Sequence, residues 1–325
     1  MTFLLQLRFK PFFDVSAAFV GLTVPLKELI HLIELPGRMF LPNINVYLIN
    51  CEKPVLIDAG YGFHESTEKL LHETRQVTRN HGLEKVIITH AHPDHFAGAA
   101  VLKRKLDTNV AAHRLAVPVL SDLKKLTIDY YGFKDDVSSF VKIFLRGLCE
   151  AEPVNVDTVL EENDEINVGG YSLRVIHTPG HTPCHISLYL EEEGVLFSGD
   201  VVVGEGSTWI GLPCGDVSVY INSLKKLLKL QPKLILPAHG PVVYNPEKRI
   251  RELIQRKLSK EREILELLRE KPRTVEELAL MLYSEQERYK LLWLLNVVKA
   301  YLKDLERKGE ITYRWEGRKK IYSIK

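Results

Sequence analysis

The chain has 325 residues, 45% of them apolar and 26% charged, with a formal net charge of +2. That length suits one large domain plus a small one, and the composition excludes a disordered or fibrous chain. No apolar run approaches the ~18 residues of a membrane span, so no membrane role is expected. Cys51, Cys149, Cys184 and Cys214 form no CxxC pair, which reads as reduced thiols, and residues 1–13 lack a secretory pattern; both point to the cytoplasm.

Up to about Asn245 the chain alternates short apolar runs with helical patterns. Residues 1–30 give no clear pattern. Val46–Asn50 and Val55–Asp58 read as strands around a Lys53-Pro54 turn, 64–82 as a helix, Val86–Thr89 as a strand and 96–106 as a helix. Val110–Ala112 is a short strand, and 115–148 reads as largely helical. Strands follow at 158–160, 165–168, 171–177, 186–191 and 195–198, then an amphipathic helix at 216–230 and a buried strand at 234–237. This is an α/β pattern with mixed sheets.

Asn245-Pro246 marks a change of character. Residues 247–270 read as a helix stopped by Lys271-Pro272, and Thr274 with Glu277 forms a capping box for the next helix. A third helix over 287–308 stops at Gly309, and strands at 311–315 and 319–324 flank Glu316-Gly317-Arg318. Three helices and a hairpin give the winged-helix order, so the chain divides into 1–246 and 247–325. The second part carries 21 Lys and Arg against 14 Asp and Glu, a net of +7, whereas the first carries 23 against 28, a net of −5. A basic tail suits nucleic acid. Its third helix, with Leu291-Leu292-Trp293-Leu294-Leu295, is too apolar to lie freely in a groove and is expected to bury against the first domain or a second subunit, which allows a homodimer.

The strongest chemical signal is Thr89-His90-Ala91-His92-Pro93-Asp94-His95, directly after the apolar run Val86-Ile87-Ile88. On extended backbone, residues i and i+2 point the same way, so His90 and His92 can share one ion. Asp94 and His95 then curve toward a second. Neutral imidazole with carboxylate suits zinc, with manganese or iron as alternatives. Three further candidates, His181, Asp200 and His239, each sit just past an apolar run beside small residues (Gly180, Gly199, Ala238, Gly240). Loops at strand ends are where α/β scaffolds place catalytic groups.

His90-x-His92-x-Asp94-His95, His181, Asp200 and His239, in this order, make residues 32–245 resemble the metallo-β-lactamase fold superfamily. The resemblance implies a four-layer αββα sandwich with two metal ions, zinc by preference, at one edge of its sheets. It implies His90, His92 and His181 on one ion, Asp94, His95 and His239 on the other, and Asp200 between them. Asp94 would also orient the attacking water. Asp58, after Val55-Leu56-Ile57, matches the family's supporting acidic residue behind the metals. Asp200 stands where the best-known zinc β-lactamases have cysteine, and the short stretch from Asp200 to His239 leaves no space for the cap of RNA-processing nucleases of this superfamily.

The segments 198–208, 220–227 and 237–242 look like the β-lactamase-like protein 2 group, which also carries a C-terminal winged helix and neighbours the glyoxalase II thioesterases. That likeness favours a phosphodiesterase acting on single-stranded RNA. The alternatives are a thioester hydrolase and a non-catalytic nucleic-acid-binding regulator. Beside the seven ligands, His177, His185 and His113 read as structural or supporting, Cys184 as a small buried side chain, and Tyr130, Tyr131 and Phe133 as a hydrophobic cluster or a substrate cover. Trp209 is placed by sequence near Asp200 as a candidate pocket wall. Arg314, Arg318, Lys319 and Lys320 form either a phosphate-contact patch or a solvated hairpin.

Overall fold

A computed structural model describes residues 28–134, 137–284 and 291–325. The start of the third C-terminal helix at residue 287, and the reading of the first 27 residues, lie outside these. Two mixed sheets dominate. The first has the order β1 (Ile30–Leu35), β2 (Ile44–Ile49), β3 (Val55–Ile57), β4 (Lys85–Ile88), β5 (Asn109–His113) and β6 (Thr158–Leu160). It is antiparallel from β1 to β3 and parallel from β3 to β6. The second runs β11 (Leu234–Pro237), β10 (Val195–Gly199), β9 (Ile186–Leu190), β8 (Tyr171–His177) and β7 (Glu165–Val168), antiparallel apart from the parallel pair β10 and β11.

Strand alternation sorts the apolar residues into layers. In β4, Ile87 joins Tyr47, Ile57, Val175, Leu188, Phe197 and Leu236 between the sheets. Val86 and Ile88 point the other way, into a core with Leu70 and Leu71 of helix α1 (His64–Val77), Leu102 of α3 (Ala99–Leu106) and side chains of the 115–148 insert. The outer face of the second sheet packs Leu196 and Ile235 against Tyr220, Leu224 and Leu227 of α4 (Val217–Lys229) and Ile250 and Leu253 of α5 (Pro246–Glu270). Helices thus cover both outer faces of a sheet pair, the expected αββα layering.

One strand is added to the expected elements and one helix is divided. A strand at Ile30–Leu35 had no reading; its residues Ile30, Ile33 and Leu35 face two different cores and so show no simple alternation. The helix expected at 96–106 is two, α2 (Pro93–Phe96) and α3, broken where Gly98 passes so close to Ala59 that a Cβ would lie 2.2 Å from its carbonyl oxygen. The 115–148 segment is largely helical, as expected, and is built of short helices joined to π-helical turns at Thr127–Tyr131 and Val141–Leu148.

After α5, whose N-cap Asn245 accepts from the Lys248 amide, come α6 (Val275–Leu282) with both arms of the Thr274–Glu277 capping box, and α7 (Leu291–Lys308). The hairpin β12 (Ile311–Glu316) and β13 (Lys319–Ile324) closes the chain. Among the described residues no helix is long and apolar enough to cross a membrane.

The sheets are tied together at the end where β3, β4, β10 and β11 finish. The buried Tyr47 hydroxyl donates to the Pro237 carbonyl at 2.8 Å, and the Asn45 side chain donates to the Pro237 and Gly240 carbonyls. Tyr47→Phe removes one of two donors to Pro237 and keeps the ring against Phe197. A loss of about 1 kcal/mol in urea unfolding is expected; an unchanged midpoint would show that the hydroxyl does not tie the sheets.

Candidate metal centre

Parallel pairing brings the chemistry to one edge. Ile57 pairs with Ile87, so Asp58 and the Thr89–His95 turn leave the sheet together. Leu236 pairs with Phe197, so Asp200 and His239 leave the second sheet beside them. His181 comes from the loop between β8 and β9. That loop needs glycine at 180, with φ +122° and any Cβ only 2.3 Å from the Tyr220 backbone of α4.

The seven expected ligands converge into two clusters. His90 Nε2, His92 Nδ1 and His181 Nε2 form a triangle with sides of 3.0, 2.9 and 3.2 Å. Four zinc donors on a tetrahedron of ~2.0–2.1 Å bonds stand about 3.3 Å apart, so the triangle is close to one ion's footprint. Asp94, His95 and His239 form the second cluster. Asp200 lies between: Oδ2 is 3.4 Å from His181 Nε2, while Oδ1 is 3.5 Å from both His95 Nε2 and His239 Nε2.

The remaining nitrogens fix the tautomers. His181 Nδ1 donates to the Trp209 carbonyl at 2.7 Å, and His239 Nδ1 to the Asn43 carbonyl at 2.7 Å. His95 Nδ1 donates to Asp58 Oδ2 at 2.8 Å. A carbonyl or carboxylate only accepts, so in each neutral ring the proton sits on Nδ1 and the Nε2 lone pair faces the cluster. His95 Nε2 and Asp200 Oδ1 are buried with no hydrogen-bond partner among the described residues. Buried polar groups are rarely left so. A cation between them satisfies both, so the donor set fits a pair of divalent ions.

Asp58 and Thr89 support this set from behind. The Thr89 amide and hydroxyl donate to Asp58 Oδ1 and Oδ2 at 2.8 and 2.9 Å, and the Thr89 hydroxyl oxygen lies 3.2 Å from His90 Nδ1. Sequence reasoning placed Asp58 here but missed Thr89, although its position ahead of the motif was a signal. His185, read as supporting or structural, accepts from the Asp200 amide through Nε2 at 3.0 Å and bonds Thr178 through Nδ1. Gly199 leaves room for it, because a Cβ there would meet His185 Nε2 at 2.7 Å. His177 is turned away, donating to the Pro183 carbonyl and stacking on His113. Cys184 is buried and accepts from the Tyr130 hydroxyl.

Charge divides the two clusters. Burial and the neighbouring imidazoles hold His90 well below the ordinary range, and burial with His181 pushes His92 down to about 3. At the second cluster burial acts the same way but the carboxylates win: Asp58, Asp94 and Asp200 hold His95 well above its ordinary value, and Asp200 with Asp94 carries His239 up to about 9. Burial works to raise Asp94, yet His95 and His239 bring it down to about 2.

Above the clusters is a pocket of roughly 500 Å³. Tyr131 and Phe144 of the insert, Trp209, and Trp293 of α7 wall it; Asp94, Asp200 and the histidines form its floor. Trp293 packs edge-on to Trp209 and Tyr131 at 5.8 and 5.9 Å between centroids. It was not foreseen as a site residue, and no local signal marked it.

Asp58→Asn loses the charge and one acceptor facing His95, and metal affinity measured by chelator competition is expected to fall 10- to 100-fold, roughly, as for other orienting partners of ligands; unchanged affinity removes Asp58 from the centre. In metal-stripped protein, the depressed His90, His92, His181 and His185 stay neutral when folded but take up protons when unfolded below about pH 6.5. Stability therefore falls with acid from that pH, by up to about 1.4 kcal/mol per pH unit for each. His239, raised to about 9, acts oppositely: its contribution is complete below about 6.5 and fades as pH rises through 9. Chemical unfolding of stripped protein between pH 5 and 8 reads the acid limb, and a flat profile sinks it.

Comparison with known proteins agrees with this architecture. The family model described as the metallo-beta-lactamase superfamily matches residues 40–239. A beta-lactamase-like protein 2 homolog of Caenorhabditis elegans is 31% identical over 87% of this chain and 87% of its own. An atrochrysone carboxyl ACP thioesterase of Aspergillus fumigatus is 26% identical over 71% of this chain and 61% of its own. A metallo-beta-lactamase family protein, TTHA1429 of Thermus thermophilus, shares the fold with a TM-score of 0.75 at 22% identity, over 91% of this chain and 99% of that one. The chain belongs to the metallo-β-lactamase superfamily, whose members are metal-dependent hydrolases.

Proposed function

We propose that this hydrolase cleaves a thioester with an apolar or aromatic acyl group, using two zinc ions. The observation that carries this reading is the lining of the pocket over the metal clusters. Aromatic side chains wall it, and among the described residues that line it there is no Lys or Arg. Its other charged lining side chain is a carboxylate, Glu205. A single-stranded RNA backbone calls for a cationic groove with stacking platforms; here the platforms are present and the cations are not. The RNA reading favoured by sequence thus loses ground to its runner-up, and the thioesterase among the relatives points the same way.

Two bound divalent ions supply Lewis acidity and, by lowering the pKa of water, a nucleophile at neutral pH. The chain's own groups do the rest. Asp94, in the second cluster with His95 and His239, would present a carboxylate acceptor for a hydrogen of the attacking water. His90, His92 and His181 stay neutral and so remain donors of lone pairs. The aromatic walls exclude bulk water and seat the acyl group. A thiol leaves readily because its ordinary pKa is about 8.5, so no strong proton donor is required. This suits a pocket whose Tyr131 hydroxyl burial drives far above the ordinary range.

The deciding assay offers metal-loaded protein a series of acyl and aryl thioesters beside single-stranded RNA. Thioester turnover with RNA left intact is expected, and the reverse overturns the proposal. Within the series, Trp293→Ala is expected to lower kcat/KM for the bulkiest acyl groups by roughly 10- to 100-fold and for acetyl far less. A uniform loss would mean that Trp293 does not contact substrate.

A further inference from the structure

The loop that walls the catalytic pocket has a second face. Ser207, Thr208 and Trp209 also line a separate, partly open cavity of roughly 530 Å³ between this loop, α5 and α7. Its charge is opposite to that of the first. Arg256, Lys257 and Lys260 of α5 line it with one carboxylate, Glu263, and Glu263 is taken by Lys260 at 2.8 Å. Lys257 is 5% exposed. Its ammonium donates to the Thr208 carbonyl at 2.6 Å and the Ser207 hydroxyl at 3.1 Å, and lies 5.4 Å from the Tyr220 ring centre. Among the described residues, no carboxylate pairs with Lys257 or Arg256.

The Lys257 ammonium, buried without a counter-charge, is costly unless an anion joins it, and the exposed Arg256 lines the same cavity. Burial, reinforced by Arg256, pushes Lys257 down to about 7. The pair offers a point charge and a planar fork, and the Ser207 and Ser259 hydroxyls stand at the same cavity. That set matches the several acceptor oxygens of a dianion better than a single carboxylate. The opposite wall is apolar, formed by Leu294 and Val297 of α7 with Tyr301.

We propose that this cavity binds a phosphate monoester, its phosphoryl group between Lys257 and Arg256 and its organic body against Leu294, Val297 and Tyr301. The site communicates with the metal centre through the shared loop. Lys257 holds the Thr208 carbonyl; the Thr208 hydroxyl donates to the Asp200 carbonyl at 2.8 Å; the Trp209 carbonyl orients His181. An occupant that draws on Lys257 therefore acts on the loop that seats two metal ligands. This assignment does not depend on the identity of the hydrolysed substrate.

The test is calorimetric titration of the metal-loaded full chain at pH 7.5 with inorganic phosphate and with adenosine 3′,5′-bisphosphate, in two buffers of different ionisation enthalpy. Saturable binding with proton uptake is expected, because Lys257 passes from largely neutral to charged. The ester is expected to bind at least tenfold more tightly than phosphate, and Arg256→Gln and Lys257→Met each to weaken it tenfold or more. Arg256 is exposed, so Arg256→Gln keeps the test valid where Lys257→Met fails to fold. Binding that neither variant changes would place the anion on the metals and overturn the site. Equal affinity for phosphate and ester would overturn the seat for the organic body.

Discussion

An imidazole presents a lone pair to a metal only while its other nitrogen keeps the proton, and the fold is arranged around that requirement. His181, His239 and His95 each have an acceptor behind them: the Trp209 carbonyl, the Asn43 carbonyl and the Asp58 carboxylate. Each acceptor belongs to a different part of the chain. Holding all three in place requires the two sheets to meet with their strand ends aligned. The Tyr47 and Asn45 bonds to the β11 end serve that alignment, since they fix the strand that delivers His239 to the segment that carries Asn43.

The segment after Asn245 belongs to this arrangement as well. On α5, Arg249 donates to the Val203 and Gly206 carbonyls, and Lys257 to that of Thr208. These are carbonyls of one irregular loop, which would otherwise lack backbone partners. The loop in turn seats Asp200 and His181. From α7, Asn296 accepts the Leu212 amide and Trp293 completes the pocket wall. The family model matches residues 40–239, so Trp293 of the pocket wall lies beyond the matched residues. The seven ligands lie within the matched residues, while Trp293 reaches the same pocket from outside them.

What was readable in the sequence follows from how local each cause is. The ligands on β4 were legible because alternation and a tight turn place His90, His92, Asp94 and His95 within one short segment. His181, Asp200 and His239 were legible because each follows an apolar strand. Asp58 needed the family resemblance, since one aspartate after one strand is common. Trp293 was illegible: it lies in an apolar helix where every large residue has a packing explanation, and only tertiary structure separates it from its neighbours. The 115–148 insert was legible as helical from its apolar spacing, whereas its division into short helices with π-helical turns, and the arrival of Phe144 at the pocket, were not. The expected burial of the third C-terminal helix against the first domain agrees with Trp293 and Asn296.

The basic balance of the C-terminal part illustrates why net charge is a weak guide to a partner. Much of that charge is spent within the protein. Arg307 grips Asp216 with both arms and also pairs with Asp304; Lys308 pairs with Glu261, and Arg273 with Glu270. In the hairpin, Arg314 pairs with Glu316, and the Lys320 ammonium lies 3.7 Å from the centre of the Tyr313 ring. A cation so engaged gives up part of its freedom to release counterions from a polyanion, and that release is the main source of nucleic-acid affinity. Two of the α5 cations that pair with no carboxylate among the described residues, Arg256 and Lys257, line the cavity between α5 and α7. A compact anion at that cavity, as proposed above, would call on both, whereas the pocket over the metal clusters has no Lys or Arg among its described lining residues to meet a polyanion.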